Sequence, residues 1–319
     1  MKIALITPAA AKSRYGNRNT AVRWAGLLRE IGYQVSVQEK WDGRSADAML
    51  ALHARRSHDS IVRFAESWPE RPLILALTGT DLYRDIRTDV NAQESMELAT
   101  RMIVLQEMGL RELIPRLRRK TQVIYQSTDP IPRKRQLDSC FEILVSGHLR
   151  EEKDPFRGAA ALQYLPETSL LRITHIGGAR DRQLATEARD WMRRQPRYHW
   201  LGEVPRGRAL ALLSRSRALL ISSHMEGGAN VVSEALTARV PVIASKISGN
   251  IGMLGKDYRG YYRPGDARDL ARLLNRVESD ADFLALLRRQ CSRRRVLISR
   301  KGEKQGLRVL LRKLLEKNK

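Results

Sequence analysis

Short apolar runs of strand length, each followed by a polar turn and then a stretch with helical spacing, recur along the whole chain. Ile3 to Pro8 reads as a strand, Thr20 to Glu30 as a helix stopped by Gly32, and Gln34 to Gln38 as a second strand. Further strands are predicted at Ala48 to Leu52, Leu73 to Thr78, Met102 to Leu105 and Gln122 to Gln126. A charged, proline-rich break, Asp129-Pro130-Ile131-Pro132-Arg133-Lys134-Arg135-Gln136, then interrupts the alternation and reads as a linker. After it the alternation restarts, with strands at Glu142 to Ser146, Leu171 to Ile176, Tyr198 to Leu201, Ala218 to Ser222 and Pro241 to Ala244. Strands that are apolar throughout belong to parallel sheets covered on both faces, so the expected class is α/β with two Rossmann-like, doubly wound halves facing across a ligand cleft. The expected division is 1–130, a linker at 131–140, 141–300, and a basic helix at 301–319 that packs back on the first half.

Composition agrees with two globular halves. A chain of 319 residues with 42% hydrophobic content can bury two cores, which excludes a disordered or fibrous protein. The longest apolar runs are only of strand length and the chain opens into a strand, so neither a transmembrane segment nor a signal peptide is expected, and a cytoplasmic location is. Cys140 and Cys291 lie far apart without zinc spacing, and no HExxH pattern is present. Asp280-Ala281-Asp282 precedes a helix-like segment, so it reads as a helix cap, and neither metal nor cofactor is expected.

The charge is distinctive and uneven. The net charge is +23, and from Arg288 to Lys319 thirteen Lys or Arg stand against Glu303 and Glu316, so that stretch alone carries 13 − 2 = +11. Such an end could meet nucleic acid, anionic lipid or an acidic partner. Leu307, Leu310, Leu311, Leu314 and Leu315, however, recur at helical spacing, which favours an apolar stripe docked on the body with its charges in water. The first half carries no interleaved aromatics for base stacking, so no nucleic-acid partner is expected.

The candidate chemistry centres on Glu226-Gly227-Gly228-Ala229-Asn230-Val231-Val232-Ser233-Glu234, two glutamates around a Gly-Gly turn that leads from a strand into an apolar helix. The loop lies at the strand's carboxyl end, where open α/β sheets bind ligands, and glycines let backbone approach a phosphate. The helix start offers N–H groups and positive potential to a diphosphate. Glu234, one turn in, is placed to accept ribose hydroxyls, and Glu226 to hold hydroxyls of a transferred sugar. After the first strand of the second half, Gly147-His148-Leu149-Arg150-Glu151-Glu152-Lys153 brings His148, Arg150 and Lys153 to a similar place, suited to a diphosphate leaving group. In the first half, Lys12, Arg14, Gly16, Asn17, Arg18, Asn19 and Thr20 form the loop after the first strand; His53, Ala54, Arg55, Arg56 and Ser57 follow the third and Thr78, Gly79, Thr80 and Asp81 the fourth. Their guanidinium, amide and hydroxyl groups suit an acceptor with phosphate-like charge.

These residues resemble the retaining GT-B glycosyltransferases that carry an E-x7-E clamp, through Val145 to Lys153, Trp200 to Val204, Glu226 to Leu236, Pro241 to Ser245 and Tyr262 to Asp266. The resemblance implies that Lys153 and a nearby arginine hold the diphosphate, Gly202 and Glu203 lie near the base, Glu226 contacts the sugar and Glu234 the ribose. Two departures stand out: His148 occupies the position usually held by arginine, with Arg150 as its substitute, and Thr78 stands where a histidine is common. The runs Leu52 to Ser57, Thr78 to Tyr83, Gly147 to Arg157, Glu226 to Asn230 and Ser248 to Gly252 are more specifically similar to the selenosugar synthases of selenoneine biosynthesis. That resemblance implies a UDP-sugar donor, UDP-N-acetylglucosamine or UDP-glucose, with selenophosphate as nucleophile and the enzymes that supply selenophosphate or use the product as partners. An ordinary GT-B enzyme acting on a lipid or phosphosugar at a membrane surface is the alternative, and a basic nucleic-acid-binding protein the weakest one.

Overall fold

The computed structural model describes residues 1–10 and 16–315; Lys12 and Arg14, expected in the loop after the first strand, lie outside the described residues. The chain divides into two compact units. The first comprises Met1–Ser127, Gly227–Ala229 and Leu297–Lys319, and the second Thr128–Glu226 and Asn230–Val296.

The first unit holds a six-stranded sheet of β1 (Lys2–Ile6), β2 (Gln34–Gln38), β3 (Ala48–Leu52), β4 (Leu73–Leu77), β5 (Arg101–Val104) and β6 (Thr121–Val123), in the order β2-β1-β3-β4-β5-β6. All its pairings are parallel. Successive side chains leave a strand on opposite faces, and the core divides accordingly. Ile3, Leu5, Leu50 and Ile74 pack on one face with Trp24, Leu27 and Leu28 of the helix Gly16–Glu30, while Ala4, Ile6, Met49 and Leu75 pack on the other with Phe64 and Met96. The basic C-terminal helix, Arg300–Leu315, joins the first face through buried Leu307, Leu310, Leu311 and Leu314, as the leucine stripe predicts.

The second unit holds β7 (Phe141–Ser146), β8 (Leu171–Ile176), β9 (Tyr198–Trp200), β10 (Ala218–Ile221), β11 (Val242–Ser245) and β12 (Tyr261–Tyr262), ordered β12-β11-β10-β7-β8-β9. All these pairings are parallel too. The two-residue β12 is too short to carry a sequence pattern. The proline-rich break lies in this unit, held by hydrogen bonds from Lys134 N to Ser214 Oγ and from Ser214 Oγ to Pro132 O. Asp280 caps the helix Ala281–Arg294 by accepting from Phe283 N at 2.8 Å, the role read for the Asp-x-Asp. Among the described residues no helix is long and apolar enough to cross a membrane.

Strand order locates the ligand-binding ends. In an open parallel sheet the crevice opens where the winding direction reverses, beyond the carboxyl ends of the strands. The reversal falls between β7 and β10 in the second unit and between β1 and β3 in the first. The loops at these points are those after β7 (Gly147 to Lys153), β10 (Ser222 to Glu226) and β3 (His53 to Ser57).

Candidate active site

In the second unit, Lys153 from the β7 loop and Glu226 from the β10 loop form an ion pair through Glu226 Oε1. The same oxygen accepts a hydrogen bond from Ser223 Oγ at 2.6 Å. Glu226 is buried, and these bonds orient its carboxylate where an unpaired charge would be costly. A polar chain supports it: Ser245 Oγ donates to Ser223 O at 2.6 Å, and Asn250 Nδ2 donates to Ser245 O at 2.8 Å. Beneath, the helix Ser248–Leu254 comes so close that a Cβ on Gly249 would lie 1.9 Å from Glu226 O. Two further bonds couple the loops, Ser222 Oγ to Lys153 O at 2.8 Å and His224 N to Glu152 O at 2.9 Å. Ser223, Ser245, Gly249 and Asn250 are site residues that the sequence reading did not assign; their signal was position, at or just beyond the carboxyl ends of β10 and β11.

The Gly147-His148 turn is built with equal care. Gly177 has φ +138°, and a Cβ there would lie 2.0 Å from Gly147 O, so only glycine admits this approach. His175, fully buried in β8, donates from Nε2 to Gly147 O at 3.1 Å, and its Nδ1 accepts from Tyr198 OH at 2.8 Å. Burial pushes its pKa down to about 4, so it is neutral near pH 7 and keeps this tautomer. His148 Nδ1 accepts from Gly178 N at 3.1 Å, and burial, then Arg150, lowers its pKa; the imidazole is a hydrogen-bonding group here rather than a cation. Arg150 Nη1 lies 3.5 Å from Glu152 Oε1. Gly202, at φ +67°, accepts from Gly177 N at 2.8 Å, and a Cβ on Gly178 would lie 3.5 Å from Oε2 of exposed Glu203.

Gly227 and Gly228 form a bend, Ala229 follows, and the helix Asn230–Ala238 begins at Asn230. Glu234 thus sits one turn into the helix, where the spacing placed it. Its Oε1 accepts from Arg206 Nη1 at 2.9 Å, an interaction absent from the sequence reading.

The first unit corrects several assignments. Gly16, Asn17, Arg18, Asn19 and Thr20 are not a loop but the opening of the helix Gly16–Glu30. Thr20 is buried, donating to Gly16 O at 3.0 Å and accepting from Gln126 Nε2 at 2.6 Å, so its hydroxyl ties the start of this helix to Gln126. Asp81, fully buried, accepts from Thr78 N, Gly79 N and Ala54 N at 2.9, 2.7 and 3.1 Å. It pins the two loops together. Ser57 is buried and donates to Leu52 O at 2.7 Å, and Arg55 is paired with Asp85 at 2.9 Å. Exposed Arg56, half-buried Arg18 and Asn17, and half-buried Thr78, Gly79 and Thr80 remain accessible.

His53 was read only as the opening of the loop after the third strand, with no role of its own. It ends β3 at φ +77°, a backbone strain usual at functional sites, and is almost wholly buried. Its Nδ1 accepts from Arg56 N at 3.4 Å, so Nε2 carries the proton toward Thr80 Oγ1 at 3.2 Å. Burial lowers its pKa. Thr78 takes the histidine's usual place in this loop, yet the neighbouring strand brings an imidazole to the same Thr78-Gly79-Thr80 segment. Its only sequence signal was its position just past an all-apolar strand.

The model of the family described as "Glycosyl transferases group 1" matches residues 127–295, more than half of the chain and all of the donor-side elements above. This chain belongs to the group 1 glycosyltransferases. No curated protein matches this glycosyltransferase in a sequence search. Among solved structures, it is similar to Anabaena HepE in complex with UDP and glucose, at 16% identity, TM-score 0.76, and coverage of 99% of this chain and 100% of that one. It is likewise similar to sucrose-phosphate synthase of Thermosynechococcus elongatus, at 16% identity, TM-score 0.76 and 99% coverage of both chains. A trehalose-phosphate synthase of Burkholderia xenovorans in complex with glucose-6-phosphate matches at 12% identity and TM-score 0.75, covering 98% of this chain and 100% of that one. At these identities the likeness is one of fold, the two Rossmann-like units of the GT-B class.

Proposed function

We propose that this glycosyltransferase is a selenosugar synthase, which moves a hexosyl group from UDP-N-acetylglucosamine or UDP-glucose to selenophosphate. Selenium attacks the anomeric carbon, the bond from that carbon to the UDP oxygen breaks, and UDP leaves. Hydrolysis of the selenium-phosphorus bond then yields phosphate and the free selenosugar. The donor half of this reading rests on one observation: the Lys153-Glu226-Ser223 constellation at the reversal of the second sheet, with Glu234 one turn into the adjoining helix. The complexes of HepE with UDP and with UDP-glucose support a uridine donor. Similarity of the Leu52–Ser57, Thr78–Tyr83, Gly147–Arg157 and Ser248–Gly252 runs to selenosugar synthases supports the acceptor, and so does the accessible Arg18 and Arg56.

The residues divide the work as follows. Glu226 offers its second oxygen to sugar hydroxyls, while Ser223 holds the first in place when Lys153 turns to the diphosphate. Lys153, Arg150 and the start of the helix Asn230–Ala238 take up the charge that develops on UDP. A soft, anionic selenium needs little help from a base, and the guanidinium groups of Arg18 and Arg56 suit the charge of selenophosphate. The reaction belongs in the cytoplasm, alongside enzymes that supply selenophosphate and consume the selenosugar.

The test is mass spectrometry of the purified protein with selenophosphate generated in place and each UDP-sugar in parallel. Phosphate alone is the control and glucose-6-phosphate a competing acceptor. A selenium isotope pattern on a hexose, with matching UDP release, is expected. Transfer only to glucose-6-phosphate, the ligand of the Burkholderia structure, would replace this reading with a sugar-phosphate acceptor.

A further inference from the structure

The Arg206–Glu234 ion pair is odd on local grounds. Arg206 opens the helix Arg206–Arg215, whose first turn contains no acidic residue and which is preceded by Pro205. A cation at that end opposes the helix dipole. Its guanidinium is only partly sheltered, with the side chain 56% exposed, so the fold does not need it as packing. What it contacts is Glu234, whose side chain is only 14% exposed. A carboxylate on a helix surface has several rotamers, and an arginine anchored on a different helix selects one of them.

We propose that Arg206 is a positioning residue that presets the Glu234 carboxylate for the ribose diol and so sets the enzyme's selectivity for ribonucleotide over 2′-deoxyribonucleotide donors. This rests on the reading of Glu234 as the ribose acceptor. Holding Oε1 from outside the nucleotide fixes the rotamer before the donor arrives, so binding does not have to order it. The guanidinium also spreads its charge next to a carboxylate that would otherwise add to the donor's negative field. A neutral substitute loses both effects, and lysine keeps the charge without the planar fork.

The experiment measures kcat and KM with a UDP-sugar and with its 2′-deoxy analogue for wild type, Arg206→Ala, Arg206→Lys, Glu234→Gln and the double variant Arg206→Ala/Glu234→Gln. Arg206→Ala is expected to raise KM for the ribonucleotide donor about two- to fivefold, the range of a half-exposed ion pair, with kcat changed less. KM for the 2′-deoxy donor should hardly move, so the preference narrows. Arg206→Lys should fall between, and Arg206→Ala should add nothing in the Glu234→Gln background. An equal rise in KM for both donors, or a full additional effect in that background, would overturn the proposal. If Glu234→Gln itself leaves the preference intact, it is the ribose reading of Glu234 that fails, and the proposal falls with it.

Discussion

Glu303, on the basic C-terminal helix, carries the prediction whose size is best worked from the structure. Its carboxylate is buried and has no water to fall back on. Oε1 accepts from the Trp24 indole at 2.7 Å and from Arg23 Nε at 3.1 Å, and Oε2 accepts from Ser127 N at 2.9 Å and from Ser127 Oγ. Glu303→Ala removes the acceptor of all four bonds, leaving the buried Trp24 indole and the Ser127 N–H and hydroxyl without it. A single orphaned donor costs about 1–3 kcal/mol, and breaking a buried ion pair about 3–5 kcal/mol. The donors share one carboxylate, so their costs do not add, and about 3–5 kcal/mol is expected overall. At about 2–4 °C per kcal/mol for a unit of this size, the melting temperature should drop by about 6–20 °C. Trp24 is itself buried at the site, so urea unfolding followed by tryptophan fluorescence, alongside calorimetry, reads the change. Glu303→Gln should recover part of the loss, because one oxygen remains an acceptor. A loss below about 1 kcal/mol for Glu303→Ala would show that the helix is held by its leucines alone and refute the argument.

Other expectations bear on the site. Ser223→Ala removes one of the two bonds to Glu226 Oε1 and should lower kcat/KM about tenfold, roughly the worth of one charge-assisted hydrogen bond, with little change in melting temperature; an unaltered kcat/KM would mean Lys153 suffices to hold the carboxylate. Gly249→Ala drives a Cβ to within 1.9 Å of Glu226 O, so it should displace that loop and cost about 1–3 kcal/mol of stability with a larger loss of turnover. Wild-type turnover in a folded Gly249→Ala protein would disprove the close-packing argument. His175 gives a pH signature: its folded pKa, about 4, lies below the ordinary 6.5, so the unfolded chain binds more protons between those values. Its contribution is therefore complete above about pH 6.5 and lost as pH falls toward 4, up to about 3 kcal/mol, and lowered His53 and His148 act in the same direction. Denaturant unfolding from pH 4 to 7 checks this, since His175→Gln should flatten the slope; an identical slope would exclude His175 as its source.

Both sheets were legible because their inner strands, such as β3, β4 and β10, are continuous apolar runs, and a run covered on both faces needs no knowledge of its partners. The places of Glu226 and Glu234 were legible for a similar reason: strand, Gly-Gly turn and helix are consecutive, so spacing alone puts one carboxylate in the loop and the other a turn into the helix. The C-terminal leucine stripe likewise declared a docked helix within a run of positive charge.

Other features depended on which side chains meet across large separations in sequence. The sequence showed arginines throughout the acceptor loops, but only the fold showed that Asp85 occupies Arg55 while Arg56 stays exposed. It listed Thr20, Ser57 and Asp81 among site residues because their types suit binding, yet each spends its hydrogen bonds on backbone or on a buried neighbour. Conversely His53 beside Thr80, Gly249 against Glu226, and Arg206 on Glu234 bring together residues 23 to 28 apart in sequence, which only the folded chain makes neighbours. Periodicity determines where a chain is strand or helix; the order in which parallel strands are laid down decides which loops become neighbours, and with them the site.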